Sequence, residues 1–526
     1  MSNNYQGVFP YAEIRSEQQT AIDFAVDAFN NQDKRFVIIE AGTGVGKSAI
    51  GYTVAKLMGG ESYFLTTQKV LQEQYINDFA QHGMRSIKSS TNYRCKYYKS
   101  KDCSSALREL KVSKDARFKS SCGGGCVYKG AKRRFLEAPL GVTNFPYFLA
   151  ETNYSQQLEK RNLLIIDECH NAEIQLSNFI SIEISEHFAS AILKLKVPQL
   201  KTMHQVVTWT KDVYRPKLAS IKKHMETQIE KFSIGSRMQD FVSLSKRFEL
   251  IDKHLCKLER FLNLFDKENW VMNTSHAEKR GTRKFEFKPV DISPFSENYL
   301  FRSGEKILLM SATVMNKNAF CEVLGIPRDQ CSFVSIPSPF PVENRPIVFS
   351  PIASMVKRHI DASLPKMAQA VTAILAEHKN DKGIIHCHSY KIAKYLKENI
   401  SSSRLLIHDS DNRDKILHKH IHGKKPTVLL SPSMSEGVDL KGDSSRFQVI
   451  CKVPYPYLGD KLVSKRMHKW KWWYPLQTAK TIVQSVGRSV RSKNDHAITY
   501  ILDADWERYY NRNKRIFPED FKRCLT

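Results

Sequence analysis

Two kinds of apolar pattern alternate along the chain. Short unbroken runs, among them Phe36-Val-Ile-Ile39, Tyr63-Phe-Leu-Thr66 and Leu163-Leu-Ile-Ile166, read as strands buried on both faces of a parallel sheet. Between them the spacing loosens to that of helices, as in the stretch from Ala49 to Leu57. Residues 1–90 therefore read as an α/β unit: helix, strand, loop, helix, strand, helix. From about 181 to 285 the pattern turns helical and basic. There Phe241, Leu244, Phe248, Ile251, Leu255, Leu258 and Leu262 recur in steps of three and four, the stripe of a packed helical insertion. Strand character returns at Lys306-Ile-Leu-Leu-Met310. A Pro-rich passage from Pro337 to Pro346 follows and predicts a linker between two halves. Beyond it Gly383-Ile-Ile-His-Cys387, Thr427-Val-Leu-Leu430 and Phe447-Gln-Val-Ile-Cys451 alternate with helices, which predicts a second parallel-sheet domain. The fold class is α/β.

Composition narrows the partner. With 81 Lys and Arg against 54 Asp and Glu, the net charge is +27, an excess that suits a polyanion such as nucleic acid. No apolar run is long enough to span a bilayer, so a membrane partner is not expected. The N-terminus lacks the basic and apolar regions of a secretory leader, which predicts an intracellular protein. Eleven Cys in such a chain read as reduced thiols, and a cluster of them as a metal or iron–sulfur site. Residues 85–134 hold four of these Cys, with 15 Lys or Arg against three Asp or Glu.

The chemistry begins after the first strand. Ala41-Gly-Thr43-Gly44-Val45-Gly46-Lys47-Ser48, opening a helix, is a phosphate cradle. Backbone amides from Gly42 onward wrap the phosphates, Lys47 reaches the β and γ oxygens, and the Ser48 hydroxyl ligates Mg²⁺. The strict pattern wants Gly where Ala41 stands. Asp167 and Glu168 end a buried strand, where acids face a ligand at the sheet edge. Asp167 suits Mg²⁺, and Glu168 suits the water that attacks the γ-phosphate. His170 reads either as a structural hydrogen-bonder or as a relay. Gln484, Arg488 and Arg491 share a helical face, which reads either as a solvated basic face or as arginine fingers for a cleft between domains. Gly437 and Asp439, within Ser435-Glu-Gly-Val-Asp439, fit a loop that senses nucleotide across the same cleft. The run Lys465-Arg-Met-His-Lys-Trp-Lys-Trp-Trp473 interleaves cations with indoles. It reads either as a base-stacking platform built on Trp470 and Trp472, or as Trp packing beneath a basic rim. Cys95, Cys103, Cys122 and Cys126 offer four thiolates in which only the last two are close. Zinc sites usually present two close pairs, and a cubane cluster, zinc or free thiols all remain open on spacing alone.

Taken in order, these stretches resemble a superfamily 2 DNA helicase of the XPD/DinG branch. Arg15-Ser-Glu-Gln18 resembles the adenine-contacting motif, so Arg15 and Gln18 join the ATP-binding set. Thr66 to Gln74 resembles motif Ia, which implies DNA contacts for Thr67 and Lys69. Asp167-Glu-Cys-His170 is a DECH form of the DEAH box, with Cys169 for the usual Ala. Met310-Ser-Ala-Thr313 resembles motif III, which makes Ser311 and Thr313 coupling residues beside His170. Ser435 to Gly442 resembles motif V and Gln484 to Arg491 motif VI. After motif VI, Ala497 stands where glycine is expected.

The resemblance implies two RecA-like motor domains with an iron–sulfur module and a helical arch inserted in the first. The expected boundaries are 1–90, 136–180 and 286–340 for the first motor, 91–135 for the cluster module, 181–285 for the arch and 341–526 for the second motor. It implies a [4Fe–4S] cluster on the four cysteines, ATP and Mg²⁺ as cofactors, and single-stranded and forked DNA as partners, with repair as a setting. The activity implied is ATP-driven unwinding with 5′→3′ travel. The alternative is a translocase that displaces proteins, or acts on RNA–DNA hybrids, without processive unwinding. Protein partners are not legible.

Overall fold

The computed structural model describes the whole chain except residues 1–4, 6, 43, 111–112, 233–237, 277–280, 409–411, 433–439, 441, 491 and 493, and the side chain of 238. The first unbroken apolar runs lie inside a seven-stranded, all-parallel sheet. Its order is Cys331–Ile336, Phe36–Ala41, Gly304–Ser311, Arg161–Asp167, Ser62–Thr66, Leu140–Asn144, Met84–Ser86. Every residue of Phe36–Ala41 and Ser62–Thr66 is buried, because helices cover both faces. Helices Ser16–Asn30, Lys47–Met58 and Lys69–Phe79 close one side. Phe145–Ala150 and Ala172–Ile180 close the other.

The strand order decides the site. The strand ending in Ser311 lies between the strand that feeds the phosphate loop and the strand that ends in Asp167. Glu40 is in register with Ser311, and Asp167 with Met310. Three motifs distant in sequence thus emerge side by side at the C-terminal edge of one sheet.

The second half forms a six-stranded parallel sheet, ordered Ile347–Ala353, Ile498–Asp503, Phe447–Ile450, Gly383–His386, Val428–Ser431, Leu405–Ile407. The Pro-rich passage joins the last strand of the first sheet to the first strand of the second, as expected for a linker.

Two insertions interrupt the first sheet. One carries the four cysteines on and around helices Cys103–Leu110, Ala116–Gly124 and Val127–Glu137. The other carries the 27-residue helix Met238–Leu264, which buries Phe241, Ile251, Leu255 and Leu258 from the predicted stripe. This second insertion is not wholly helical. Its base is a three-stranded antiparallel sheet of Ile182–Ser185, Arg283–Pro289 and Trp270–His276, so its last strand runs past the expected end at 285. The two-residue alternation of Phe285 and Phe287 carried this signal, and both are buried while their neighbours are half-exposed. The insertion's core is continuous with that of the seven-stranded sheet. The two insertions also touch, through a bidentate pair in which Arg108 Nε and Nη2 donate to Glu249 at 2.9 and 2.8 Å. Among the described residues, no helix is long and apolar enough to cross a membrane.

Candidate active site

The phosphate loop leaves its strand and enters helix Lys47–Met58 through Gly44 and Gly46, at φ +84° and +91°. Those angles suit glycine, so the loop's shape is written in its sequence. Two N-terminal residues brace it from outside. Arg15 Nη1 donates to Gly44 O at 2.8 Å and Gln18 Nε2 to Val45 O at 2.9 Å. The backbone N–H of Arg15 in turn donates to Gln18 Oε1 at 3.0 Å.

Across the sheet edge, Asp167 accepts a hydrogen bond from Tyr75 Oη at 3.0 Å and from the Glu168 N–H at 2.9 Å. Burial, with the neighbouring Glu168 charge, pushes the Asp167 carboxyl above the usual carboxylate range. A cation at Asp167 would relieve that cost. Glu168 takes a left-handed backbone conformation, φ +50°, unusual outside glycine. Burial pushes its carboxyl up too. Lys47, with Nζ at 3.5 Å, and His170, with Nδ1 at 3.3 Å, more than cancel that and hold it ionised below the usual range.

His170 continues the chain of contacts. Asn171 Nδ2 donates to its Nε2 at 2.9 Å, so Nδ1 carries the proton and donates to Ser311 Oγ at 2.7 Å. Ser311 Oγ also accepts the Thr313 N–H at 3.1 Å. Thr313 Oγ1 accepts from Gln484 Nε2 at 3.1 Å, and Gln484 lies on helix Trp473–Val486 of the second half. One turn earlier on that helix, Lys480 Nζ donates to the His170 carbonyl at 3.0 Å. A polar chain thus runs from Lys47 through Glu168, His170, Ser311 and Thr313 to Gln484, crossing from one sheet domain to the other.

Residues 11–196 match the family model described as type III restriction enzyme, res subunit, and 372–524 match a helicase C-terminal domain. The chain is 20% identical to the ATP-dependent DNA helicase YoaA of Haemophilus influenzae, over 96% of this chain and 92% of that protein. It is 22% identical to the ATP-dependent DNA helicase DinG of Photobacterium profundum, over 90% of each. Among solved structures, an XPD helicase superposes with a TM-score of 0.65 at 17% identity, over 96% of this chain and 98% of that one. Along nearly its whole length the chain is similar to the XPD/DinG-like superfamily 2 helicases. Its two sheets are RecA-like motors.

Within that XPD/DinG-like frame, the structure brings together Arg15, Gln18, Gly44, Lys47, Glu168, His170, Ser311, Thr313 and Gln484. Arg488 follows Gln484 by one turn, near enough to His386 for its charge to help lower that imidazole's pKa. Thr43, Gly437, Asp439 and Arg491 lie outside the described residues. Cys169, in the place of the usual Ala, is fully buried, so it is part of the core.

Three residues of the XPD/DinG-like site were missed in the sequence. Tyr75 buttresses Asp167. Lys480 shares a helix face with Gln484, an i, i+4 relation that could have flagged it. Glu40, buried in the phosphate-loop strand, accepts the N–H of Met315 and, at 3.0 Å, the hydroxyl of Ser335. It ties the loop after motif III to the strand of motif I.

The Trp470 and Trp472 platform is not formed in this structure. Trp470 is only 6% exposed, and Trp472 lines a cavity with His170 and Lys480. Lys461, just before the run, and the run's Lys465, Arg466 and Lys469 are engaged within the chain, whereas Lys471 is exposed. Lys461 Nζ donates to Met272 O at 3.0 Å, Arg466 Nε to Val290 O at 2.8 Å, and Lys469 pairs with Asp291 at 2.6 Å. Arg466 also pairs with Glu173. This is the packing alternative, in which helix Lys461–Lys469 docks the second motor on the arch base. Thr67 is half-buried and Lys69 exposed at the C-terminal edge of strand Ser62–Thr66, where Lys69 Nζ donates to Asn92 Oδ1 at 2.7 Å.

The four cysteines converge. Cys95, Cys103, Cys122 and Cys126 line one small cavity with Phe118 and Ala106, and all four are free thiols. Burial, with Cys126 and Cys95 close by, pushes the Cys103 thiol up to about 11. Among the described residues, no three His, Cys, Asp or Glu are drawn together as a metal site.

Proposed function

We propose that this chain is an ATP-dependent DNA helicase that travels on single-stranded DNA 5′→3′ and unwinds duplex. The observation that carries the reading is the polar chain from Lys47 to Gln484, which links the phosphate loop of one motor to the other motor. The names of the relatives support DNA as the track, and the charge of +27 suits it.

Lys47 and Glu168 hold each other in this structure. When triphosphate enters, its oxygens compete for the Lys47 ammonium, and Glu168 is released to orient and polarise the attacking water. Ser48 and Asp167 would hold Mg²⁺, which supplies charge neutralisation at the phosphates. The movement of Glu168 is felt by His170, and through Ser311 and Thr313 by Gln484. Arg488 and Arg491 supply positive charge from the second motor as the cleft closes. Opening after hydrolysis shifts one motor along the strand.

The cysteine set fits a [4Fe–4S] cluster by donor chemistry: four thiols, on and beside three helices and mostly buried, line one small cavity. Bound there, the cluster would cross-link those helices, and Cys103 and Cys122 would be held as thiolates despite the burial that now raises them. Protein purified without oxygen is expected to be brown, with broad absorbance near ~400 nm from thiolate-to-iron charge transfer. A colourless preparation containing zinc refutes the cluster.

The deciding experiment compares wild type and Lys47→Ala on 5′-tailed, 3′-tailed and protein-blocked forks. Wild type is expected to hydrolyse ATP and part the 5′-tailed fork. Lys47→Ala should lose both activities while keeping single-strand affinity. Unwinding of 3′-tailed forks alone reverses the direction, and protein displacement without strand separation makes the chain a translocase.

A further inference from the structure

Phe340 belongs to the linker and to neither sheet, yet it touches the facing edges of both motors. Its ring lies against Gly44 of the phosphate loop, where a Cβ would stand 2.0 Å from Phe340 Cζ. Glycine is therefore needed at 44 for space as well as for its backbone angle. The ring also packs in a small apolar cluster with Val490 and Ala497 of the second motor. Val490 is two residues beyond Arg488. The neighbouring Ser338 approaches Gly42 in the same manner, with its Cα 3.1 Å from where a Cβ would be.

The linker is fixed at this point. Arg345 Nη2 donates to the Phe340 carbonyl at 3.2 Å. The same guanidinium makes a bidentate pair with Asp520 at 2.8 and 2.7 Å. Phe340 itself is buried. An anchored aromatic ring from the hinge thus fills the space between the loop that wraps the phosphates and the turn that follows Arg488.

We infer that Phe340 is a positioning residue for the nucleotide. It holds Gly44 and its neighbours in the conformation that presents their amides, and sets the distance between that loop and the Arg488 turn. Preorganisation of this kind acts on affinity, because a loop already shaped loses less entropy when ligand arrives. Side chains at 340 too small to reach Gly44 leave the loop loose, whereas aromatic ones preserve it. The inference rests on the reading of the phosphate loop as the ATP site.

The test compares wild type with Phe340→Ala, Phe340→Leu and Phe340→Tyr. The readouts are KM for ATP and kcat with saturating single-stranded DNA, Kd for a fluorescent ADP derivative, single-strand affinity without nucleotide, and Tm. Phe340→Ala is expected to raise KM and Kd together by about tenfold, with Phe340→Leu between it and wild type. Phe340→Tyr should restore both, and nucleotide-free DNA affinity should not move. A folded Phe340→Ala that binds the ADP derivative as wild type does overturns the inference. So does a Tyr variant as impaired as the Ala variant. If Ala fails to fold, an unchanged Kd in Phe340→Leu overturns it equally. Failure of wild type itself to bind the ADP derivative overturns the ATP reading, and this inference with it.

Discussion

Glu168 is shared between Lys47 and His170, and this sharing sets what a single substitution should do. Glu168→Gln keeps the size and removes the charge, so Lys47 is no longer neutralised within the protein. ATP binding should be kept or tightened, while kcat falls by about 10²–10⁴, the usual worth of a general base. Nucleotide binding and single-turnover hydrolysis separate the two effects, and undiminished hydrolysis would assign the base elsewhere. At this scale the sequence announced most of the site. Lys47, Asp167 and Glu168 could be named because a glycine loop before a helix and a carboxylate pair after an apolar run are local signals. Glu40 and Tyr75 could not. Each acts through a partner brought close only by the sheet: Glu40 on the loop after motif III, Tyr75 on Asp167.

At the scale of elements, helix Trp473–Val486 is the contact between motors, with Lys480 and Gln484 one turn apart on the face that meets the first motor. Gln484→Ala removes one hydrogen bond across that contact and leaves the phosphate loop untouched. Nucleotide affinity should be unchanged, while DNA-stimulated kcat falls about fivefold, in line with one neutral hydrogen bond. Steady-state ATPase with and without DNA measures this. An equal fall in both conditions would place Gln484 in the chemistry rather than in the coupling. The neighbouring helix Lys461–Lys469 teaches the opposite lesson. Its cations and the indoles after it look in sequence like a nucleic-acid surface, but four basic residues close on the arch and the first motor instead. Alternating charge and aromatic character marks an interface and does not say with what. The arch shows the same limit. Its long helix was legible from the three-and-four stripe, whereas its basal sheet was obscured because Ile182–Ser185 pairs with Arg283–Pro289, far away in the chain.

At the scale of the whole molecule, stability should depend on acid through buried histidines of the second motor. His420 is fully buried, with Nε2 donating to Ser444 O at 2.8 Å and Nδ1 accepting from the Thr427 hydroxyl at 2.9 Å. Burial holds its pKa down to about 4, and that of His386 down to about 3. The unfolded chain takes these protons near pH ~6.5, whereas the folded chain resists them. Their contribution is therefore complete above that pH and is lost progressively as pH falls toward about 4 for His420 and about 3 for His386. Urea midpoints at pH 7.5, 6 and 5 should fall in that order. His420→Gln should be less stable at pH 7.5 but show a shallower decline, and an unchanged slope would mean other groups dominate. The gross architecture was readable at this scale too, because a second set of apolar runs after a Pro-rich passage means a second sheet.

The sequence by itself determined the phosphate loop, the acidic strand end, the helix of Gln484 and Arg488, and the division into two α/β halves. Each rests on covalent neighbours: glycine angles, apolar spacing and residues one helical turn apart. Only the tertiary structure decided that the strand of motif III lies between those of motifs I and II. It alone decided that one hydrogen-bonded chain joins Lys47 to Gln484, and that Phe340 fills the hinge between them. These depend on strand order and on the approach of distant surfaces, which local pattern does not encode.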